Sequence, residues 1–353
     1  MAVKDSAILD LLASTKFEEH KNTWTWLGPQ LQDYIFFDML NKRKNIKIQN
    51  GSMGLEKTLL NGSNGRSRWV GLFAKDQVNI VDLMRKMKVE WTHITDACAY
   101  ERREFSHQTP EYIINDIIKP RRQDMMLRMV ATLEEAFFAI PDPNDTDVMY
   151  GLFYWLTASA SEGFNGTYPT GFTDIAGVNL TQTPGFKNYT NTYTAITKDD
   201  LITKMRKAFY KTHWRSPISA SEFTSETGTR RMIMTTYDVL AGLERVGESQ
   251  NENLGRDLAS MDGQILFKKI PIMAVPQFDS EGFNYNNAHP SMKSPVVMLD
   301  LDSFFAFVDG SDNFHKTEAK QPDSHNQFNE FMDLSLNTFC VNRRANALLT
   351  YPL

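Results

Sequence analysis

The sequence predicts an α+β fold, in which sheets are assembled from segments that lie far apart in the chain. Three observations support this prediction. One long helical pattern covers residues 110–139, strand-like runs lie on both sides of it, and a loop-rich stretch of Gly, Asn and Thr separates it from the C-terminal runs. With 353 residues, a formal charge of −5 and 41% hydrophobic residues, the chain has the composition of a folded globular protein.

The first 47 residues show two amphipathic helical patterns, roughly 4–13 and 30–43. Asp10 interrupts the first apolar stretch, so the segment lacks the apolar core of a secretory signal, and we expect a cytosolic protein. Cys98 and Cys340 are then expected to be reduced and partly buried thiols. No apolar run approaches the roughly 20 residues that span a bilayer, so no membrane association is predicted.

Residues 48–105 predict a long β-hairpin. The part from 48 to 68 is rich in Gly, Ser and Asn, which is typical of turns. The part from 69 to 105 contains the strand-like runs WVGLF, VNIV, KVEWTHI and ACAYERREF. Such a hairpin is expected to be loosely tied to the rest of the chain.

Residues 110–139 predict one long helix, because apolar residues recur at spacings of three and four. Thr109 can cap this helix, and Pro110 suits its first turn. Pro120 removes a backbone donor inside the pattern, so we expect a kink near Lys119.

The remainder of the chain predicts a loop-heavy segment and then strands. Between residues 141 and 230 a helix is expected near 198–213, where one face carries Leu201, Met205, Ala208 and Phe209. From residue 231 onward, the strand-like runs are RMIMTTY, ILFKKIPIMAVP, PVVMLDLDSFFAFVDG and LSLNTFCVNRRANALLTY, with a helical YDVLAGLERVG after the first.

The segment GSMGLEKT, residues 51–58, approaches a phosphate-binding loop. Gly51, Lys57 and Thr58 match its pattern, but Glu56 stands where the second glycine belongs. A carboxylate there would repel phosphate, so a flexible loop is favoured.

Residues 142–147, DPNDTD, begin like a calcium-binding loop. Asp147 stands in the place of the turn glycine and Phe153 in the place of the bidentate glutamate, so a polar linker is favoured. The seven histidines show no metal-binding spacing, and Glu134 and Glu135 are interpreted as solvated helix charges. The sequence therefore predicts no catalytic set, no cofactor and no metal site.

The order of parts, an arm, a hairpin, a long helix, a loop-rich middle and a strand-rich end, resembles the major capsid proteins of tailed double-stranded DNA bacteriophages with the Hong Kong 97-like fold. The resemblance runs from IFFDMLNKRKNI through VEWTHITDACAYERREFSHQTPEYIINDIIKPRRQDMMLRMVATLEEAFF and GTRRMIMTTYDVLAGLE to MDLSLNTFCVNRRANAL. These matches lie in the order of the elements and in the residue types along each segment, and they include no catalytic signature.

The resemblance implies an N-terminal arm (1–47), an extended E-loop (48–95), a peripheral domain with a spine helix (96–140 and 301–353) and an axial domain (141–300). It implies a non-enzymatic subunit that forms pentamers and hexamers of an icosahedral shell around packaged double-stranded DNA. A portal protein, and scaffolding or decoration proteins, would be partners. The location would be the virion capsid, assembled in the host bacterial cytoplasm.

Basic and aromatic side chains are the candidate contacts between such subunits, because guanidinium groups match carboxylates and phosphates bidentately. The candidates are Arg66, Arg68, Trp69, Arg121, Arg122, Arg343 and Arg344. Related shells can be joined by Lys–Asn isopeptide bonds. Lys75 and Asn342 or Asn346 have the right chemistry, but no Glu is placed between them, so this bond is not expected.

The sequence leaves three alternative functions open. An encapsulating nanocompartment would use the same fold to enclose an enzyme. A nucleotide-binding enzyme would depend on residues 51–58. A monomeric binding module would present a polar loop face and would remain a single species in solution.

Overall fold

The computed structural model describes residues 34, 46–49, 54–60, 69, 84–101, 118–145, 147–212, 231–251, 265–268, 270–279, 292–321 and 326–352. The predicted helices 4–13 and 30–43 lie outside the described residues apart from position 34, and so do residues 70–83. The chain divides into two compact units. The first comprises Met1–Tyr34, Ile94–Thr132 and Ser311–Leu334, and the second comprises Ile35–His93, Leu133–Gly310 and Ser335–Leu353.

The helices of the described residues are α1 (Ile118–Phe138), α2 (Leu152–Trp155), α3 (Thr203–Lys211) and α4 (Tyr237–Asn251). Helices α1, α3 and α4 follow the predicted order, whereas the short α2 lies in the stretch predicted to be loop-heavy. The strands before α3 are β1 (Ile46–Gln49), β2 (Gly54–Leu60), β3 (Met84–Glu90), β4 (Thr92–Glu101) and β5 (Tyr189–Thr192). The later strands are β6 (Arg231–Thr235), β7 (Leu266–Phe267), β8 (Ile270–Ala274), β9 (Met292–Asp300), β10 (Phe304–Asp309), β11 (His315–Lys316), β12 (Gln327–Cys340) and β13 (Ala347–Pro352).

A six-stranded mixed sheet in the second unit has the order β5-β13-β9-β6-β8-β7. The parallel pairs are β5 with β13 and β6 with β8. Helix α3 and the helical turn before it (Lys198–Ile202) pack on this sheet. The four side chains predicted to share one face are all buried: Leu201 in the turn, and Met205, Ala208 and Phe209 in α3. The helix prediction near 198–213 is confirmed, because the 3.6-residue period reports directly on the face that is buried.

Strand β10 is the centre of a second pairing in the same unit. It runs parallel to β1 and antiparallel to the C-terminal part of β12, with Phe304 opposite Cys340. Every residue of β10 except Asp309 is buried, which explains its continuous apolar sequence. Cys340 and Cys98 are both free and buried, as predicted.

Strands β2 and β3 form a two-stranded antiparallel hairpin, paired from Gly54 and Glu90 to Leu60 and Met84. The hairpin prediction for residues 48–105 is confirmed for β2 and β3 only, because β4 pairs with β12 and residues 70–83 lie outside the described residues. Strand β2 itself lies inside the stretch predicted to be turns. Its charged residues Glu56 and Lys57 are both exposed, and Glu56 forms an ion pair with Lys86 across the hairpin.

The strand assignment of residues 54–60 also bears on the nucleotide-binding alternative. A phosphate-binding loop must lead into a helix whose N-terminus faces the phosphates. Lys57 and Thr58 lie instead within β2, paired with Met87 and Lys86. The interpretation of residues 51–58 as a phosphate-binding loop, on which the nucleotide-binding alternative depended, is therefore wrong.

Helix α1 confirms the described part of the long helical prediction, while its predicted start at residues 110–117 lies outside the described residues. Pro120 lies in the first described turn of α1, at the edge of the described residues, so the kink predicted near Lys119 stays a prediction. Glu134 corrects one prediction. It is 1% exposed, because it follows buried Val130 by four residues on the buried stripe, whereas Glu135 is exposed.

Within the described ranges, no helix is long and apolar enough to cross a membrane, and no three His, Cys, Asp or Glu side chains are grouped as metal ligands. The carboxylates of Asp142 and Asp145 instead accept hydrogen bonds from backbone groups in local turns. Asp142 accepts a hydrogen bond from the N–H of Asn144 at 2.8 Å, and Asp145 accepts one from the N–H of Asp147 at 3.0 Å. These are the short-range contacts expected of a polar linker.

Candidate functional site

The candidate inter-subunit residues occupy different environments. Arg66 and Arg68 lie outside the described residues. Trp69 is fully exposed. Arg121 and Arg122 lie on α1 in the first unit, whereas Arg343 and Arg344 lie in a 3-10 turn (Arg343–Ala345) of the second unit.

Arg122 belongs to a charged cluster around one buried carboxylate, that of Glu330 on β12. The Nε of Arg122 donates to Glu330 Oε2 at 2.8 Å, and its Nη2 donates to the other carboxylate oxygen. The Nζ of Lys316 lies 2.9 Å from Oε2, and the hydroxyl of Tyr100 donates to Oε1 at 3.1 Å. The carboxylate thus has three partners, two of them cationic.

This environment shifts the pKa values of Glu330, Tyr100 and the nearby Cys98. The hydrogen bond from Arg122 lowers the pKa of Glu330 to about 2, with Lys316 and Tyr100 adding to the effect against the opposing influence of burial. Burial and then the Glu330 carboxylate raise the pKa of Tyr100, and the same two causes raise that of Cys98. The cluster therefore holds an ionised carboxylate at the centre of the first unit.

Two other arginines tie α1 to β4 in the first unit. Arg121 Nη1 donates to the carbonyl of Ala99 at 3.2 Å. Arg128 Nε lies 3.2 Å from an Asp96 carboxylate oxygen and 3.5 Å from one of Asp124. These ion pairs are partly exposed, so each adds little to the free energy of unfolding. Their main effect is to orient α1 relative to β4.

Arg343 has a different role from the one predicted, because its side chain is fully buried. Its Nη2 donates to Asn188 Oδ1 at 3.0 Å and reaches Thr157 Oγ1 and the carbonyl of Thr167 at 3.4 Å. Its Nε donates to the carbonyl of Trp155. A side chain with no exposed surface does not offer a contact to a second subunit, and Arg343 instead connects the C-terminal turn to residues 155–188 of its own chain.

The guanidinium of Arg343 is a buried cation whose Nε and Nη2 meet neutral acceptors, whereas its buried Nη1 has no hydrogen-bond partner among the described residues. Burial lowers its pKa to about 10, which still leaves it charged at neutral pH. The fully buried Asn188 completes the network by donating its Nδ2 to the carbonyl of Thr157 at 2.9 Å. Gly166 makes room for this amide, because a Cβ there would lie 1.8 Å from Asn188 Oδ1.

The side chain of Arg344 contacts a different residue, Phe164, and remains a candidate for contact with a neighbouring subunit. Its guanidinium lies 3.8 Å from the centroid of the Phe164 ring, and the side chain is partly exposed. Stacking of this kind presents the edge of the guanidinium to a further partner.

Buried asparagines are the residues that sequence reasoning missed. Asn337 accepts the N–H of Tyr150 at 3.0 Å and donates to the carbonyl of Glu90 at 2.9 Å. Asn346 accepts the N–H of Asp300 at 2.7 Å, and its fully buried amide is not free for an isopeptide bond. One signal was available: asparagine is rare within strands, yet it interrupts the apolar runs LSLNTF and ANALL.

Comparisons with known proteins give a match in structure alone. No protein-family model matches the chain, and no curated protein sequence does. Three similar solved structures are a cyanophage A-1(L) capsid asymmetric unit, the capsid of a native GTA particle, and the holo-SrpI encapsulin complex from Synechococcus elongatus PCC 7942.

The similarity covers nearly the whole of each chain. For the cyanophage capsid the TM-score is 0.61 at 13% identity, over 96% of this chain and 98% of that one. For the GTA capsid the TM-score is 0.58 at 9% identity, over 96% of both chains. For the encapsulin it is 0.54 at 9% identity, over 96% and 94%. The chain therefore has the Hong Kong 97-like capsid fold, as the sequence predicted.

Proposed function

We propose that the chain is a structural shell subunit, a major capsid protein that self-assembles into pentamers and hexamers of an icosahedral shell around packaged double-stranded DNA. The similarity in fold to capsid subunits carries this proposal, because it extends over 96% of the chain and 98% of the cyanophage capsid protein. In this role the chain catalyses no reaction and needs no cofactor.

The β2–β3 hairpin supports self-association. Its sheet contains two strands among the described residues, and isolated two-stranded ribbons are marginally stable in water. Two large apolar side chains, Met84 at the distal end of β3 and Trp69 in the connection, are exposed. A neighbouring copy of the chain would cover both and supply the missing packing.

The proposal assigns roles to the four predicted regions. Residues 48–95 form the E-loop that lies over a neighbour, and residues 1–47 form the arm. Residues 96–140 and 301–353 form the peripheral domain, and residues 141–300 form the axial domain around the fivefold and sixfold centres. Adjustments at the arm, at the E-loop and near Pro120 would let one fold occupy several environments in the shell.

The partners follow from this role. The contacts with neighbouring copies would come from the exposed Trp69 and Arg122 and the partly exposed Arg121 and Arg344, together with Arg66 and Arg68. Packaged DNA would be enclosed without sequence recognition, in keeping with a formal charge of −5. A portal protein would occupy one vertex, scaffolding or decoration proteins would act with the shell, and assembly would take place in the host bacterial cytoplasm before the protein reaches the virion.

Electron cryo-microscopy of the expressed full chain, alone and with the products of neighbouring genes, tests this function. We expect rings of five and six subunits or closed shells. A single species at the mass of one chain in light scattering, maintained at high concentration, would contradict the proposal and favour a monomeric binding module.

The encapsulin similarity supports a second candidate, a nanocompartment shell. Both candidates predict closed particles, so particle formation does not separate them. The contents of particles purified from the native source do. Nucleic acid of genome length supports the capsid function, and a packaged enzyme without such nucleic acid supports the nanocompartment.

A further inference from the structure

The base of the β2–β3 hairpin is held from the side that β2 does not occupy. The N–H of Lys88 donates to the carbonyl of Ala176 at 3.1 Å. Two residues further on, the carbonyl of Glu90 accepts the Asn337 amide at 2.9 Å. Val89, between these two bonds, is buried. The last residues of β3 are therefore attached to the rest of the second unit through two hydrogen bonds and a buried side chain.

The turn that supplies the Ala176 carbonyl, residues 174–178, has an uncommon backbone. Ala176 has a φ of 50° and Gly177 a φ of 81°. The left-handed region is unfavourable for a residue with a Cβ, so Ala176 must be held there by other contacts. Within the turn, Asp174 Oδ1 accepts the N–H of Gly177 at 3.0 Å, and Ile175 and Val178 exchange two backbone hydrogen bonds.

The contact that holds Ala176 comes from helix α2. The hydroxyl of Tyr154 accepts the N–H of Ala176 at 2.9 Å. Tyr154 is 1% exposed, and its ring stacks on Tyr150 with centroids 4.1 Å apart. Burial raises the pKa of Tyr154, so this hydroxyl remains neutral. Ala176 is thus bound on both sides, by a buried tyrosine at its N–H and by the hairpin at its carbonyl.

We propose that the turn 174–178 is a latch that fixes the direction of the β2–β3 hairpin, and that the Tyr154 hydroxyl keeps this latch closed. When the hydroxyl bond opens, Ala176 can leave the left-handed region, and its carbonyl then turns away from Lys88. The hairpin would retain its internal pairing with β2 and the bond from Asn337 to Glu90, but with one of its two attachments lost its direction would be less tightly fixed. This inference concerns a single subunit, so its test needs no assembled shell.

Amide hydrogen exchange of the full chain, resolved to Lys88, tests the latch. Tyr154→Phe removes the hydroxyl and should raise the exchange rate at Lys88 about tenfold, as expected for the loss of one buried hydrogen bond. Tyr168→Phe is the matched control, because the Tyr168 hydroxyl accepts the N–H of Leu180 at 2.7 Å in the same region. The control should leave Lys88 within about twofold of the unmodified chain.

A second variant covers the case in which Tyr154→Phe does not fold. Ala176→Gly keeps every hydrogen bond of the turn and relieves the left-handed strain, so exchange at Lys88 should slow about threefold. Three results would overturn the latch: unchanged exchange at Lys88 in a folded Tyr154→Phe, an equal increase in Tyr168→Phe, or exchange in Ala176→Gly that fails to slow.

Discussion

The Nε of Arg122 lies 2.8 Å from Oε2 of Glu330, and this contact joins a half-exposed guanidinium to a carboxylate that is almost fully buried. This difference in exposure determines how much free energy each charged group loses when its partner is removed. The carboxylate has lost its water and depends on its protein partners, whereas the guanidinium retains part of its hydration. Removing the carboxylate and removing the cation are therefore different perturbations.

Glu330→Gln is expected to lower the free energy of unfolding by about 2 kcal/mol. Loss of one member of a buried pair costs about 3–5 kcal/mol, and the partial exposure of Arg122 and Lys316 places this case below that range. Urea denaturation of the soluble chain measures the change. Glu135→Gln, an exposed carboxylate on α1, is the control and should change stability by less than about 0.5 kcal/mol. Equal effects of the two substitutions would contradict the assigned role of Glu330.

The same carboxylate predicts a defined acid sensitivity. The folded pKa of Glu330, about 2, is below its ordinary value of 4.5, so its contribution to stability is complete above about pH 4.5 and is lost as the pH falls through 2. The stability difference between the unmodified chain and Glu330→Gln should be constant near neutral pH and shrink between pH 4.5 and 2. Urea midpoints across this range measure it, and a pH-independent difference would rule the mechanism out.

Local periodicity explains which parts of the fold could be predicted. The buried face of α3, with Met205 and Phe209, follows from spacing within one helix. Strand β2 could not be found this way, because its Glu56 and Lys57 have low strand propensity and the strand exists through its pairing with β3.

The sequence could not show which contacts the candidate residues make, because their partners lie far away in the chain. Arg343 looked like a surface cation, but its acceptors Trp155, Thr157 and Asn188 lie more than 150 positions earlier in the chain. Arg122 depends in the same way on Glu330, 208 positions later. No local pattern reports such contacts.

Arg343→Lys should lower the free energy of unfolding by about 3 kcal/mol or more. A lysine ammonium cannot reach the acceptors that the guanidinium fork serves together, so buried acceptors would lose their donors. Thermal melts of the soluble chain should show a fall of several degrees. Arg344→Lys is the adjacent control, and it should cost less than about 1 kcal/mol because that side chain is partly exposed. If the two substitutions are equally harmful, the buried network is not the cause.

Trp69→Ala should separate assembly from folding. The side chain is fully exposed in the single subunit, so its removal should change unfolding by less than about 0.5 kcal/mol. If Trp69 packs on a neighbour, the concentration at which particles form should rise about tenfold or more, measured by sedimentation. Trp69→Phe retains much of the apolar area and should restore part of the assembly. Assembly at the unmodified concentration would remove Trp69 from the interface.

Gly166→Ala tests whether the Arg343 network has room to adjust. The new Cβ would lie 1.8 Å from Oδ1 and 2.5 Å from Cγ of Asn188. Asn188 cannot move aside without losing Arg343 and Thr157 together, so we expect a loss of about 2–3 kcal/mol in thermal or urea unfolding.

Gly185→Ala is the matched control for this substitution. No atom lies within 4 Å of a Cβ built at Gly185, in the turn Pro184–Phe186, so its effect should stay below about 0.5 kcal/mol. The double variant Gly166→Ala with Arg343→Lys should be less destabilised than the sum of the two single variants, because both disrupt the position of one amide. Additive losses would show that the substitution at Gly166 lowers stability without displacing Asn188.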